Sequence, residues 1–297
     1  MLLIAGAVPT PAMPLAFGVA SFNGENLLVD GKHISCTQGT GAMVSAALKT
    51  TSYLGVEPPY ALLAGDMGKG EGSRDIYEYL ITNLPKLMPQ TLALHYCLPD
   101  ITLMKRFSAV LDDCSPRPAL IADAGSMYAA KVAGLAPKFD VFTPDAAELA
   151  FLADPSAPHP AYVKFMADHD AEEIPQLIKT AYANKSAAPL MLVKGAVDYI
   201  VRDGVVVETV SEPDVPAMEC IGGTGDTITG MVAAFIAAGL EPHEAAILAA
   251  RSNRMAGQMA SVKPASRVSA VIAELPAVFK KYLCSWSGVC INKGVES

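Results

Sequence analysis

The stretch GGTGDTITGMVAAFIAAGL (222–240) sets one carboxylate, Asp226, between a glycine-rich turn and an apolar helical pattern. Apolar residues recur at i, i+3 and i+4 over 228–236 with no charge among them, which predicts a buried helix. A helix that begins near Thr224 leaves its first backbone N–H groups without partners inside the helix. The glycines let this backbone approach a bulky anion, and the helix dipole favours negative charge there. The stretch therefore predicts an anion-binding turn.

The carboxylate of Asp226 repels the anion that these amides attract. The repulsion has a purpose if Asp226 takes a proton from a substrate hydroxyl while the amides hold a transferring phosphoryl group. The alternative is an ordinary helix N-cap, a position at which Asp is favoured. The residues alone leave both interpretations open.

Outside this stretch, short apolar runs alternate with helical patterns. Strands this short and this continuously apolar fit a parallel sheet covered on both faces, so the alternation predicts a doubly wound α/β fold. Asp-Gly pairs between β-rich runs predict hairpins over 27–35 and 198–209, and the chain from Asp226 to about Leu283 reads as helical. The predicted strands are Leu2–Ala7, Tyr60–Ala64, Leu92–His95, Ala119–Ala122, Phe139–Phe142 and Leu190–Val193, and the other predicted helices are Ala42–Tyr53, Ser73–Asn83, Ile101–Leu111, Met127–Gly134, Ala146–Leu152 and Glu172–Asn184.

The composition is that of a globular chain with a negative net charge. Its 297 residues are 52% hydrophobic and 18% charged, which is enough apolar material for a sizeable core. Lys plus Arg number 22 against 30 Asp plus Glu, and the formal charge of −8 disfavours non-specific binding to nucleic acid or anionic membranes. We expect no nucleic-acid or membrane partner.

The apolar N-terminus, MLLIAGAVPTPAMPLAFGVA (1–20), lacks a basic start and contains three prolines, so it predicts a core strand rather than a signal peptide. No apolar run approaches the ~20 residues of a membrane-spanning helix, and we expect a cytoplasmic protein. The six cysteines include no CxxC pair, so we also expect reduced thiols.

Four segments together resemble the ribokinase-like superfamily, and most of all its NAD(P)H-hydrate dehydratase and vitamin-kinase branches. They are GGTGDTITG (222–230), DVFTPDAAELAFL (140–152), LMLVKGAVDYIV (190–201) and LIADAGSMYAAKVAG (120–134). The resemblance covers about 119–240, is weak over the first hundred residues and is absent from about Val262. It implies a ribokinase-like three-layer α/β/α sandwich with a mostly parallel central sheet and β-hairpin additions. We expect one domain over 1–297, with a divergent C-terminal tail from about Cys284.

The resemblance also implies roles for individual residues. Asp226 would be the catalytic base, and Asp145 with Glu148 would organise Mg²⁺ beside ATP or ADP. Two carboxylates three residues apart on a helix suit a cation that prefers oxygen ligands, although acids at a helix N-terminus also serve its dipole. The implied nucleotide-binding residues are Lys194, Gly195, Gly222, Gly223, Thr224 and Gly225.

Two glycine-rich loops are candidates for binding the acceptor substrate. LLAGDMGKGEGSRDIY (62–77) follows a predicted strand, lacks the Gly-Lys-Ser/Thr order of a Walker A loop, and would end in Ser73 as a helix N-cap; a surface turn is the alternative. CTQGTGAM (36–43) loosely resembles the dehydratase turn beside the substrate. The predicted substrate-binding residues are Gly39, Thr40, Gly41, Gly65, Asp66 and Asp123.

Three functions remain open at the level of the sequence. The first is an ADP- or ATP-dependent NAD(P)H-hydrate dehydratase-like lyase, which phosphorylates the hydrated nicotinamide and then eliminates. The second is a small-molecule kinase for a vitamin or sugar, and the third is a nucleotide-binding protein without catalysis. The loop 143–148 shows Asp145 and Ala147 where the dehydratase pattern favours His and Gly, and PAMEC (216–220) replaces the usual Asn-containing start of the glycine run. These departures concern the identity of the acceptor substrate more than the phosphate chemistry. As in much of this superfamily, we expect a homo-oligomer.

Overall fold

The computed structural model of the chain describes residues 1–24, 26–157 and 173–288. Within them the strands are β1 (Leu2–Val8), β2 (Ala16–Val19), β3 (Ser21–Asn23), β4 (Asn26–Val29), β5 (Lys32–Ile34), β6 (Tyr60–Gly65), β7 (Thr91–His95), β8 (Ala119–Ala122), β9 (Val141–Phe142), β10 (Leu190–Val193), β11 (Asp198–Arg202) and β12 (Val205–Val210). The α-helices are α1 (Gly39–Leu54), α2 (Glu71–Leu87), α3 (Ile101–Asp112), α4 (Gly125–Val132), α5 (Ala146–Ala153), α6 (Ile174–Ala183), α7 (Thr224–Ala237), α8 (Pro242–Met259), α9 (Val268–Val278) and α10 (Cys284–Ser287).

A nine-stranded sheet occupies the middle of the fold, in the order β12-β11-β10-β9-β8-β7-β1-β6-β2. The strands from β10 to β6 in this order are parallel, and β11, β12 and β2 add antiparallel edges. Alternate residues of β1 enter two different cores: Leu2 and Ile4 pack with α1, α7, α8 and α9, whereas Leu3 and Ala5 pack with α2 to α6. Both faces are covered, so the predicted three-layer sandwich with a mostly parallel sheet and hairpin additions is confirmed.

The local signals in the sequence account for most element boundaries. Strands β8 and β10 begin and end at the predicted residues. Asp30-Gly31 joins β4 to β5 and Asp203-Gly204 joins β11 to β12, with positive φ at all four residues, as a two-residue hairpin turn of type I′ requires. The predicted helix Glu172–Asn184 appears as α6, and its first predicted residue lies outside the described residues.

Two local predictions are wrong. The predicted strand Phe139–Phe142 is reduced to β9, because a 3₁₀ turn at Ala136–Lys138 runs up to Phe139. Helix α2 starts at Glu71 after the N-cap Gly70, so Ser73 is not the N-cap.

Helices α1 and α7 cross in close contact, and this contact positions the site. A Cβ added to Gly230 of α7 would lie 2.2 Å from the carbonyl oxygen of Met43 in α1, so only glycine permits the observed spacing. The approach brings the first residue of α1, Gly39, against Asp226 near the start of α7.

No helix within the described ranges combines the length and the apolar character needed to cross a lipid bilayer. Cys36, Cys97, Cys114 and Cys220 are free thiols, but Cys284 is disulfide-bonded, so the expectation of reduced cysteines is wrong at Cys284. The lack of a CxxC pair did not exclude a disulfide.

Candidate active site

The carboxyl ends of the parallel strands meet the start of α7 at one edge of the sheet, which is where open α/β sheets bind ligands. His95 ends β7, Asp123 follows β8 and Lys194 follows β10. Two of the cavities that the described residues form open at this edge. The first cavity, of about 400 Å³, is lined mainly by polar residues that follow β8 to β10 and by the start of α7; the second cavity, of about 380 Å³, is lined mainly by residues that follow β1, β6 and β7. Tyr96, Gly223 and Asp226 line both.

The start of α7 is open to a ligand. Its N-cap is Gly223, with φ of +98° and no side-chain cap, so the interpretation of Asp226 as the N-cap is wrong. Among the described residues, no acceptor pairs with the N–H groups of Gly223, Thr224 or Gly225. Gly223, Thr224 and Gly225 line the first cavity, so their N–H groups are available to an anion there, as the glycines predict.

Asp226 is held by contacts on both carboxylate oxygens. Its Oδ1 lies 3.0 Å from Nε2 of His95, and its Oδ2 accepts a hydrogen bond of 2.6 Å from the N–H of Gly39. The side chain is 13% exposed, so a substrate can reach it. Burial raises the pKa of this carboxyl, but the hydrogen bond and charge of His95, the Lys194 ammonium and the Gly39 N–H outweigh burial and lower the pKa below its ordinary value. Asp226 is therefore ionised at neutral pH and can accept a proton.

Lys194 is paired within the site. Its Nζ lies 2.9 and 3.0 Å from the two oxygens of the buried Asp123. Burial lowers the pKa of Lys194, but Asp123, Glu148 and Asp226 raise it above its ordinary value overall. The ammonium therefore stays charged between three carboxylates, on the wall of the first cavity.

Asp145 and Glu148 line the first cavity and form a capping box at the start of α5. Oδ1 of Asp145 accepts from the Glu148 N–H at 2.8 Å, and Oε2 of Glu148 accepts from the Asp145 N–H at 2.9 Å. The hydroxyl of Tyr128 donates to Oε1 of Glu148 at 2.8 Å. Burial and then Asp123 raise the pKa of Glu148 to about 8, a crowding of negative charge that a divalent cation would relieve. An all-oxygen donor set of this kind fits Mg²⁺.

The structure brings most of the predicted site residues to these two cavities. The first is lined by Lys194, Gly195, Gly223, Thr224, Gly225, Asp123, Asp145 and Glu148, and the second by Gly39, Gly222 and Asp66. Gly222, predicted to bind the nucleotide, thus lines the same cavity as the predicted acceptor residues Gly39 and Asp66. Asp123, predicted to bind the acceptor, lines the cavity that contains most of the predicted nucleotide-binding residues.

Three predicted acceptor residues, Thr40, Gly41 and Gly65, line neither cavity. Thr40 lies behind His95, with its Oγ1 3.0 Å from the ring Nδ1. A Cβ on Gly41 or Gly65 would lie 2.1 or 2.2 Å from a backbone carbonyl oxygen, so these two glycines serve packing.

The carboxylate of Asp66 organises its own loop. It accepts hydrogen bonds from the N–H groups of Gly68, Lys69, Gly70 and Ser73 and from the Ser73 hydroxyl, at 2.7–3.0 Å. Asp66, and not Ser73, therefore supplies the side-chain acceptor for the N–H groups at and just before the start of α2.

Sequence reasoning missed His95, Tyr96, Asp198 and Arg254. His95 ends a correctly predicted strand at the ligand-binding edge, and this position was the available signal. Asp198 and Arg254 form a buried pair on the wall of the first cavity, with Arg254 Nε 2.8 Å from Asp198 Oδ2. Nothing local marks that pair, because its members lie 56 residues apart.

Comparison of the sequence with those of known proteins identifies relatives of this chain. The sequence profile of the carbohydrate-kinase family described as NAD(P)H-hydrate dehydratase matches residues 98–275. The uncharacterized protein MJ1337 of Methanocaldococcus jannaschii is 38% identical over 242 residues, which are 81% of this chain and 100% of that protein. The bifunctional NAD(P)H-hydrate repair enzyme Nnr of Pyrobaculum aerophilum is 39% identical over 109 residues, which are 35% of this chain and 21% of that enzyme.

A solved structure supports the fold. The ADP/ATP-dependent NAD(P)H-hydrate dehydratase of Bacillus subtilis, co-crystallized with ATP/Mg²⁺, matches with a TM-score of 0.56 over 94% of this chain and 88% of that chain, at 15% identity. At this identity the match concerns the fold alone, and it confirms the ribokinase-like prediction.

Proposed function

From the premise that this chain belongs to the NAD(P)H-hydrate dehydratase family, we propose that it transfers a phosphoryl group from ATP or ADP to the hydroxyl of a small-molecule acceptor. The observation that carries the proposal is the position of Asp226, which lines both cavities beside the open start of α7. The acceptor oxygen attacks the terminal phosphorus, its proton passes to Asp226, and the bond from phosphorus to the departing nucleotide breaks.

The first cavity is the nucleotide side. It holds the free N–H groups of Gly223, Thr224 and Gly225 and the Lys194 ammonium, groups that stabilise phosphoryl oxygens as charge develops. Asp145 and Glu148 would hold Mg²⁺ there, and the cation would supply charge neutralisation between the phosphates and the carboxylates.

The second cavity is the acceptor side. Gly39 and Asp66, two of the residues that the sequence assigns to the acceptor, line this cavity with Tyr96 and Leu98. An acceptor hydroxyl that reaches Asp226 from this side faces a phosphoryl group held at the start of α7 from the other side, as an in-line transfer requires.

For the acceptor itself, we propose the hydrated nicotinamide ring of NAD(P)H, with elimination of phosphate after the transfer. Family membership and the partial match to a bifunctional repair enzyme support this choice. The second candidate is a kinase for a small uncharged alcohol. It is favoured by the absence of Lys and Arg among the described residues that line the second cavity, because a phosphate-bearing acceptor finds no cation there.

The test of the chemistry is Asp226→Asn, which keeps the shape of the side chain and removes the base. We expect the turnover number to fall by about 10²- to 10⁴-fold, while the thermal shift produced by ATP or ADP with Mg²⁺ is retained. Asp75→Asn, on the exposed side of α2, is the matched control and should behave as wild type. Turnover by Asp226→Asn at the wild-type rate would refute the role of the base.

The test of the acceptor is incubation with ATP or ADP, Mg²⁺ and hydrated NADH. Recovery of the absorbance of the reduced nicotinamide supports the dehydratase, and a stable phosphorylated product from another alcohol supports the kinase. Nucleotide binding without turnover on a broad acceptor panel would identify a non-catalytic nucleotide-binding protein.

A further inference from the structure

A buried histidine joins the proposed base to the interior of the protein. His95 is 0% exposed, and its ring lies between Thr40 of α1 and Asp226 of α7. Nε2 is 3.0 Å from Oδ1 of Asp226, and Nδ1 is 3.0 Å from Oγ1 of Thr40. The ring of Tyr96 stands edge-on to the imidazole, with 4.4 Å between the ring centroids.

The hydrogen bonds around this ring assign its donors. The hydroxyl of Thr40 has one proton and donates it to the carbonyl oxygen of Ala7 at 2.6 Å. Nδ1 of His95 must then donate to Thr40 Oγ1. Nε2 faces the ionised carboxylate of Asp226, which only accepts, so Nε2 donates as well. In this arrangement both ring nitrogens donate, which is the hydrogen-bond pattern of an imidazolium.

We propose that His95 is a positioning residue for Asp226: together with the Gly39 N–H it fixes both carboxylate oxygens, and its charge keeps the base ionised in a buried, acidic site. The inference rests on the proposed function, in which Asp226 is the base. Held in this way, the carboxylate presents its remaining lone pairs at the junction of the two cavities rather than turning toward Lys194.

The other charges at this point explain why such a partner is needed. Asp123 approaches from the end of β8, with its Oδ2 3.8 Å from Nε2 of His95, and Glu148 of α5 adds a second negative charge. Lys194, after β10, is the other cation that faces Asp226, but its ammonium is bound to Asp123. Tyr96, after β7, and Asp66, after β6, complete the titratable groups lining the second cavity. Among the described residues, His95 is the titratable side chain in direct contact with Asp226.

NMR spectroscopy of the protein without substrate tests where the protons lie. In wild-type protein, long-range ¹H–¹⁵N correlation of the His95 ring should show both Nδ1 and Nε2 protonated at neutral pH, which distinguishes the imidazolium from either neutral tautomer. The ¹³Cγ signal of Asp226, identified by its loss in Asp226→Asn, should give a titration midpoint that rises by about one pH unit or more in His95→Leu, because an adjacent opposite charge lowers a carboxyl pKa by about 1–3 units. His95→Gln, which keeps an amide donor, should give an intermediate midpoint.

Thr40→Val gives an independent test, since it removes the acceptor of Nδ1 with little change of volume and should also raise the Asp226 midpoint. This variant and the wild-type ring spectrum decide the matter if His95→Leu does not fold. His33→Gln, at an exposed histidine on β5, is the control and should leave the midpoint unchanged. Either ring nitrogen unprotonated in wild type, or equal midpoints in wild type and in the folded variants, would overturn the proposal.

Kinetics give a second readout once an acceptor is found. The turnover number of His95→Leu should fall at least about tenfold at the acidic end of the profile and recover as pH rises, with the KM for nucleotide changed less than about twofold. A wild-type protein that is inactive with every acceptor would refute the proposed function and leave the titration result standing, so the two failures are distinguishable.

Discussion

Replacing Arg254 by Met is the most informative perturbation of the wall of the first cavity. Arg254, on α8, is 7% exposed, and its Nε donates to Oδ2 of Asp198 at 2.8 Å. Its Nη2 donates to the carbonyl oxygens of Gly195 and Ala196 at 2.8 and 2.9 Å, and its Nη1 donates to that of Ser211 at 3.1 Å. Met is unbranched and fills a similar space, so Arg254→Met removes the donors and the charge with little loss of packing.

The variant leaves Asp198, whose side chain is 3% exposed, with the N–H of Gly195 at 3.1 Å as its hydrogen-bond donor among the described residues. Removing one partner of a buried ion pair costs about 3–5 kcal/mol, because the other charge stays buried without compensation. For a chain of 297 residues this corresponds to a fall in melting temperature of about 5–8 °C.

The loss should also depend on pH. Burial raises the pKa of Asp198, and the charge of Arg254 opposes that rise. Without Arg254 the pKa of the folded state rises further above that of the unfolded state, so the folded protein loses stability as pH increases between the two values. The deficit of Arg254→Met relative to wild type is therefore largest at neutral pH and shrinks as acid protonates Asp198.

The assay is urea unfolding of both proteins at pH 7.5 and at pH 5, with the double variant Asp198→Asn/Arg254→Met expected to recover part of the loss. Arg251→Met is the matched control on the same helix: Arg251 is 3.8 Å from Glu208 with its side chain 34% exposed, and its loss should cost less than about 1 kcal/mol. A loss below about 1 kcal/mol for Arg254→Met, or equal losses at the two pH values, would refute the reasoning.

Two further substitutions test the packing and the charge of the site. Gly230→Ala should lower the free energy of unfolding, measured with urea, by about 1–3 kcal/mol, because the new Cβ meets a backbone carbonyl of α1 at 2.2 Å. Gly257→Ala is the control and should cost less, since its Cβ meets the flexible Met218 side chain. A larger loss for Gly257→Ala than for Gly230→Ala would contradict this interpretation. Lys194→Met should raise the Kd of a non-hydrolysable ATP analogue with Mg²⁺ at least about tenfold by calorimetry, because a buried cation is lost beside Asp123, and an unchanged Kd would remove Lys194 from the nucleotide site.

The sequence predicts the elements whose cause is local. Asp203-Gly204 specifies its hairpin because only such residues accept the positive φ values of that turn, and the apolar run Leu190–Val193 specifies a strand covered on both faces. The glycines at 222–225 predict the uncapped start of α7 for the same reason, since the conformation of Gly223 excludes most side chains.

Contacts made between distant segments are the part that the sequence does not predict. His95 and Asp226 lie 131 residues apart, and their contact depends on the close crossing of α1 and α7 and on the order of strands in the sheet. Asp66 displaces Ser73 as the cap of α2 because its carboxylate can reach four N–H groups at once, which depends on the path of the loop. A local sequence pattern can identify a residue in such a contact as a site residue only if that residue also ends a strand or starts a helix.

The charges of the first cavity show how a carboxylate can lie beside an anion-binding turn. Among the described residues, seven acidic and two basic side chains line this cavity, and both bases, Lys194 and Arg254, are already paired with buried aspartates. Because both bases are paired, in the proposed function most of the attraction for a polyphosphate comes from the free N–H groups of α7 and from a divalent cation held by carboxylates, and Lys194 adds a smaller contribution. In such a site the repulsion between Asp226 and the phosphates is a small part of the total repulsion from the acidic side chains, and the cation offsets that repulsion. What Asp226 needs locally is a donor that keeps it ionised and fixes its direction, and His95 occupies that position.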